Sequence, residues 1–453
     1  MNLLKVGYAS TVINPEMGVG IYGYFVPRFA KGILDDIEAS ALALECNGRT
    51  VIMLSIDNGG IDTDTVFAIS EAVEKRCGVS KSEVFVSATH THTAPLIFET
   101  DMFSSDVEKI KTYRATLIER SAEAAEAAMK DLSPAKMGFA VGQAPERVAY
   151  IRRYRMKDGT TQTCPPINDE NIDGPIGELD QRVNVLRFRR EGKDDVVLLN
   201  YGVHADTVGG ELISADWPGW VRRTLYSAIG ARAVIFVGAE GDVGSTNVHP
   251  EGGDMNDTEI SFDNEMKSPG MARFVGRALA GTVLQVFDKV AFVDVEEICI
   301  EKRDIKVPSN MAKPEELVLA REYKRLHDEG RDDLIPYSAM ELTTVVAEAL
   351  RMCRLADGPA YFTLSLTALK IGSVALLGIP GEPFTDIGVG IKKASGWDLV
   401  LPVALTGGNE GYFPMKSAFD EGGYEARTSP YKSGVAEIII EEGKRLLHDV
   451  MRK

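Results

Sequence analysis

Two of the chain's six histidines stand one residue apart, in Thr89-His90-Thr91-His92-Thr93-Ala94-Pro95. The stretch before them, 84–89, is uncharged and rich in β-branched and aromatic residues, the pattern of a short buried strand. An extended chain would present both imidazoles on one face. A chain that has already turned would separate them and leave one as a close metal ligand. Imidazoles at a strand end serve as metal ligands, as acid–base groups, or simply as hydrogen-bonded residues at a loop entrance. The arrangement recurs at 196–204, where the run Val-Val-Leu-Leu-Asn-Tyr-Gly-Val delivers His204, followed by Asp206 and Thr207. A lone carboxylate, Glu382, sits between two prolines in Pro380-Gly381-Glu382-Pro383, a stiff turn suited to fixing a ligand. The Gly411-Tyr412 segment follows another apolar run at 399–405. Ligands gather where strands of an α/β sheet end and loops diverge. Two imidazoles and one carboxylate that leave a position open form a catalytic zinc donor set in chemical type. These residues lie more than 100 positions apart, so spacing alone does not bring them together.

The elements that must position these groups read as a mixed α/β fold, with helices flanking β-sheets. Strands are expected at 39–45 and 50–57 around the turn Asn47-Gly48. Asp64 is expected to cap a helix that runs to Cys77 and stops at Gly78. Ser105-x-x-Glu108 has the capping-box pattern for a long helix to about 129. The glycines around Tyr22 and Tyr24 read as a turn-rich surface loop. The basic stretch Tyr150-Ile151-Arg152-Arg153-Tyr154-Arg155-Met156 is either a solvated edge strand or a strand with one arginine turned inward. Residues 160–177 and 254–270 read as loops. Asp216 is the expected cap of a helix with Pro218 near its first turn. The run 233–238 ends in Glu240-Gly241-Asp242, carboxylates placed either around a metal or in a turn or helix cap. Helices are expected at 271–288, 314–328, 338–354 and 433–450, a hairpin at 361–379, and a last strand at 399–405.

Composition narrows the function. A net charge of -17 argues against nucleic acid and anionic membrane surfaces as main partners. Five scattered cysteines without a Cys-x-x-Cys pair fit reduced thiols in the cytoplasm. The N-terminus lacks a basic region followed by a long apolar run, so no signal peptide is expected, and no run is long enough to insert stably in a membrane. The length allows about three domains at roughly 150 residues each, or one large domain with insertions.

Along nearly its whole length the chain resembles the neutral/alkaline, non-lysosomal ceramidases. His90-Thr91-His92-Thr93-Ala94-Pro95 is similar to that family's His-Thr-His-Ser-Gly/Ala-Pro, and Tyr201-Gly202-Val203-His204 to its Phe-Ala-Val-His. Ile213-Ser214-Ala215-Asp216 looks like its Ile-Ser-x-Asp, Gly241-Asp242-Val243 like its Gly-Asp-Val-Ser-Pro, and Pro380-Gly381-Glu382 like its Pro-Gly-Glu. Gly411-Tyr412 and Tyr424-Glu425 match its paired tyrosines, twelve residues apart. The resemblance implies one catalytic domain over 1–453 and a zinc ion held by His90, His204, Glu382 and Tyr412. It also implies that His92, Arg152 and Tyr424 surround the scissile amide, although Ile151-Arg152-Arg153 stands where the family has Asn-Arg-Ser. Of the two tyrosines, Tyr412 is assigned to the metal because Phe413-Pro414 stiffens its turn. Tyr424, in the glycine-rich loop Glu421-Gly422-Gly423, is suited to closing over substrate.

The implied activity is zinc-dependent amide hydrolysis by attack of metal-bound water, in sphingolipid or related lipid metabolism. Three departures shape the expectation. Gly244 stands where the family has a serine, which weakens a serine-nucleophile mechanism. The chain ends near the close of the family's catalytic domain, without its C-terminal immunoglobulin-like domain. No secretion signal is read. Together these point to a cytoplasmic enzyme for an N-acyl amide, ceramide-like or smaller and more soluble, with weak activity on membrane-embedded ceramide. A homo-oligomer stays open. The alternatives are another metal-dependent hydrolase of esters or cyclic amides, a serine hydrolase built on Ser245, and a catalytically silent metal-binding protein. The absent Gly-x-Ser-x-Gly elbow disfavours the serine route.

Overall fold

The apolar runs become the strands of two stacked sheets in the computed structural model, which describes residues 4–98, 107–255 and 266–453. The larger sheet runs, in spatial order, through Arg232–Val237, Val196–Tyr201, Arg182–Arg190, Ser133–Gln143, Leu4–Val12, Glu38–Cys46, Arg49–Ile56 and Val84–Ala88, with Ala291–Val293 added beside Ser133–Gln143. The smaller one runs through Ile298–Pro308, Tyr361–Ile371, Val374–Gly378 and Leu399–Val403. Most neighbours are antiparallel. The pairs Arg49–Ile56 with Val84–Ala88, Val196–Tyr201 with Arg232–Val237, and Val374–Gly378 with Leu399–Val403 are parallel. Parallel strands covered on both faces read as continuous apolar runs, which is why they were visible without a period.

Successive side chains of one strand feed two cores. Leu42, Leu44, Val51 and Met53 meet Leu369, Leu376 and Leu401 of the smaller sheet. Their neighbours Ala41, Ala43, Ile52 and Leu54 face Ile69, Leu117 and Ala124 on the helices Thr63–Cys77 and Val107–Lys130. The other half of that outer face is covered by Asp216–Ile229 and Pro269–Phe287. The far face of the smaller sheet packs under Val435–Met451 and Thr385–Ile391. The result is one large mixed α/β domain layered helix–sheet–sheet–helix.

The expected elements appear with several corrections. The hairpin turns at Asn47 and Gly48, both at positive φ, as a two-residue turn requires. Asp62, not Asp64, caps the first helix: its carboxylate accepts from the Thr65 amide at 2.9 Å. Asp64 instead lies in the helix's first turn. Residues 160–177 are not featureless, since Thr161–Thr163 and Ile172–Pro175 pair on either side of Arg153–Met156. The strand at 399–405 is not the last, because Tyr412–Phe413 pairs in parallel with Glu382–Pro383. Asp216 is the first helical residue rather than the cap, held at φ +54. Its buried carboxylate accepts from the Thr207 and Val208 amides at 2.8 and 2.9 Å and so ties down the loop after His204. The Ser105 capping box and 256–265 of the polar loop fall outside the described residues. Among the described residues no helix is long and apolar enough to cross a membrane, and all five cysteines are free.

Phe85 belongs to the core between the sheets. It is fully buried and packs edge-on against Phe236, with ring centroids 5.8 Å apart. Phe85→Ala is expected to cost about 3–5 kcal/mol of stability, the range for emptying a core aromatic site. Urea denaturation measures it, and a loss below about 1 kcal/mol would contradict this packing.

Candidate metal centre and active site

The site forms where the parallel strands end. His90 lies two residues beyond Val84–Ala88, His204 three beyond Val196–Tyr201, Glu240 three beyond Arg232–Val237, and Glu382 four beyond Val374–Gly378. The chain turns sharply at His90, which adopts φ +64, an uncommon conformation for a residue with a Cβ. The turn is pinned from outside. Thr89 donates to Asp57 at 3.1 Å, Asp57 is paired with the buried Arg222, and Thr91 donates to the Ser214 carbonyl at 2.7 Å. Neither simple geometry for the histidine pair holds. The chain has left the strand by His90, yet the rings still converge, with His90 and His92 Nε2 only 3.2 Å apart.

Main-chain carbonyls orient both outer histidines. His90 Nδ1 faces the Gly59 carbonyl. His204 Nδ1 lies 2.9 Å from the Glu240 carbonyl and 3.0 Å from that of Val243. Nδ1–H donation of this kind leaves Nε2 as the free lone pair, the tautomer that metal binding uses. Glu382 Oε2 sits 3.3 Å from His90 Nε2 and 3.1 Å from His204 Nε2. Register places Tyr412 directly beside Glu382 on the neighbouring strand. Gly241 packs so closely behind that a Cβ there would stand 2.6 Å from the Glu382 carbonyl oxygen. Donor atoms of His90, His92 and His204, and of His90, Glu240 and Glu382, each form groups lying within 4.8 Å.

Both Arg152 and Arg153 turn inward from the basic stretch, Arg153 to Glu421 and Arg152 to the site. Arg152 donates to Glu425 at 2.7 Å and to the Gly241 carbonyl at 2.8 Å, and its Nη1 lies 3.2 Å from His204 Nε2. Its guanidinium also sits over the Tyr412 ring, 5.3 Å from the centroid. Tyr424 stacks edge-on against Tyr412 at 5.7 Å. Tyr424 does not ride on a loose loop, as its glycines suggested. It opens a short helix, Tyr424–Thr428, anchored by Glu425 to Arg152 and by a 2.7 Å hydrogen bond from Thr163 to Glu425. All seven residues singled out from the sequence therefore share one site.

Sequence reasoning missed several neighbours. The glycine-rich segment is a turn, but it folds over the histidines rather than onto open surface. Tyr22 lies edge-on to His90 and His92, and Tyr24 to His92. Gly23 adopts φ +111 and lies so close to the His92 ring that a Cβ would approach it to 2.8 Å. Asp206 accepts from Tyr24 at 2.5 Å, pairs with the buried Lys267 at 2.9 Å, and lies 3.6 Å from His92 Nδ1. Only Asp206, following a strand-end histidine, carried a sequence signal.

Burial sets the electrostatics. It pushes the His204 imidazole down to about 4, helped by Arg152, and holds His92 well below the ordinary histidine range despite Asp206. Burial opposes ionisation of Glu382, but His90 and His204 outweigh it and hold that carboxyl well below the carboxylate range. Burial, then the Glu382 charge, pushes Glu240, Tyr412 and Tyr424 upward. Both Glu240 oxygens are buried without a hydrogen-bond partner. Oriented imidazole lone pairs and two adjacent buried carboxylates make a donor set that fits a divalent cation.

Fold and site thus define a helix–sheet–sheet–helix protein with an imidazole–carboxylate cluster at its strand ends. No protein-family model matches the chain, and no curated protein matches it by sequence. Solved structures share the fold, two of them as follows. The crystal structure of neutral ceramidase from Pseudomonas aeruginosa aligns with a TM-score of 0.74 over 98% of this chain and 74% of that one, at 18% identity. A structure of ceramidase complexed with C2 gives 0.73 over 100% and 76%, also at 18% identity. The fold is that of the neutral ceramidases, as the ordered motifs led us to expect.

The neutral histidines carry a pH consequence. Unfolded imidazoles take up protons below about 6.5, whereas folded His204 stays neutral to about 4. Between those values the unfolded chain binds more protons, so stability falls as pH drops through the window. Chelator-treated protein should lose about 3 kcal/mol from His204 alone between pH 6.5 and 4. Because the raised carboxyls of Asp216, Asp242 and Glu240 act in the opposite sense, the check is the difference in urea midpoint between wild type and His204→Gln across this range, and a difference that does not change with pH contradicts the burial of a neutral imidazole.

Proposed function

We propose that the protein is a zinc-dependent amidohydrolase that cleaves an N-acyl amide, ceramide-like or smaller. The observation that carries this is the convergence of His90 and His204, each with Nδ1 engaged, on the Glu382 carboxylate. His90, His204, Glu382 and Tyr412 would hold the ion. A bound zinc ion polarises a carbonyl and lowers the pKa of a coordinated water. The phenol of Tyr412 resists ionisation in its buried setting, and a dication beside it would reverse that preference.

The surrounding residues position and move protons. Tyr424 and His92 face the scissile carbonyl, and Tyr424 donates to the oxygen as charge develops on it. Arg152, fixed by Glu425, holds the far side of the amide. His92 takes at Nε2 the proton that the attacking water gives up and passes it to the nitrogen of the departing amine. Asp206 lies beside its Nδ1 and would stabilise the imidazolium, as the third member of a catalytic triad does. Lys267 and the Tyr24 hydroxyl overcome burial to keep Asp206 ionised.

Tyrosines and a buried charged cluster border the site, which favours a compact, water-soluble N-acyl amide over a long-chain lipid. The five free cysteines fit a reducing, cytoplasmic setting. Two expected outcomes test these roles. On a panel of detergent-solubilised ceramide and short-chain N-acyl amides, the short substrates should be turned over faster; a strong preference for long-chain ceramide would contradict the substrate assignment. Tyr412→Phe should lower both zinc retention after dialysis against a weak chelator and the single-turnover rate. Tyr424→Phe should keep its zinc and slow by roughly 10²–10³-fold, the usual cost of losing one oxyanion donor. Zinc retained in the first variant and lost in the second would reverse the two assignments.

A further inference from the structure

Glu240 has no part in the chemistry above, yet it is fully buried against it. Its donor oxygen groups with those of His90 and Glu382 within 4.8 Å. Neither of its oxygens has a hydrogen-bond partner. An ionised carboxylate buried beside another needs a compensating cation. Arg152, the guanidinium at the site, directs its hydrogen bonds to Glu425 and the Gly241 carbonyl and lies against His204. Lys267 is paired with Asp206 on the far side of His92. A cation between Glu240 and Glu382 would satisfy both carboxylates at once.

The backbone gives Glu240 its place. Arg232–Val237, which delivers it, pairs in parallel with the strand that delivers His204. The Glu240 carbonyl accepts from His204 Nδ1, and the following Gly241 packs without a Cβ onto the Glu382 backbone. We propose that Glu240 is itself a ligand of the metal centre, a second carboxylate beside His90, His204, Glu382 and Tyr412. One residue then serves twice, orienting His204 through its carbonyl and binding the ion through its side chain. Two carboxylates neutralise a divalent charge, so the centre is held more tightly than the same ligands without Glu240 would hold it. The inference rests on the metal centre proposed above.

Zinc is the probe. A crystal structure of the full chain with zinc, with the ion placed by anomalous scattering, should put a Glu240 oxygen roughly 2.0–2.2 Å from it. In solution, competition with a chromophoric chelator should show Glu240→Gln binding zinc at least about 100-fold more weakly than wild type, the upper end of the effect of losing an outer partner. Circular dichroism and the urea midpoint establish that the variant is folded, and the wild-type crystal decides the matter if it is not. Zinc held by His90, His204 and Glu382 with Glu240 beyond 3 Å, or unchanged zinc affinity in folded Glu240→Gln, overturns the ligand role and leaves the metal centre standing. A wild-type protein that binds no zinc overturns both.

Discussion

Two hydrogen bonds from imidazole Nδ1 to main-chain carbonyls hold the site together. His90 leans on Gly59 and His204 on Glu240. Each bond fixes a tautomer and a ring plane, and so decides where the two Nε2 lone pairs point. Those carbonyls are rigid because they belong to segments leaving the ends of packed parallel strands. The stacked sheets, the Phe85–Phe236 contact between two strands of the larger sheet and the Asp57–Arg222 pair behind the first histidine all keep the strand ends in fixed relation. A shift of one strand by a fraction of its rise would separate donors that now lie about 3 Å apart.

A second device sets the opposite wall. Glu425 is fully buried and receives both Arg152 and Thr163. It thereby ties together the basic strand, the small sheet beside it and the short helix that carries Tyr424. Arg152 and Tyr424 are thus positioned by one carboxylate, and neither depends on a mobile loop. The Tyr24–Asp206–Lys267 cluster does the same on the far side, where it backs His92. Rigid walls of this kind suit a mechanism in which donors must be in place before charge develops.

Much of this was legible in the sequence because strand ends are legible. A run such as 196–204 announces both a buried strand and the residue that follows it, and the same rule found His90, Glu382 and Tyr412. It also pointed to Glu240, but a carboxylate before Gly-Asp reads equally well as a turn residue, and only the fold shows that its oxygens lack partners. Asp216 was misread as a helix cap because its sequence context suits one, whereas tertiary contacts turn its carboxylate toward the Thr207 loop. Tyr24 and Lys267 were invisible for a different reason. Their contacts join residues 243 positions apart, and neither follows a strand or keeps a period that would mark it.

Zinc titration into chelator-treated protein tests the central claim most directly, with single-turnover release of amine from a short N-acyl amide as the readout. The account predicts no release without metal and activity that rises linearly to a plateau at one equivalent of zinc. Full activity in the chelated protein, or none at any zinc level across the substrate panel, would contradict it.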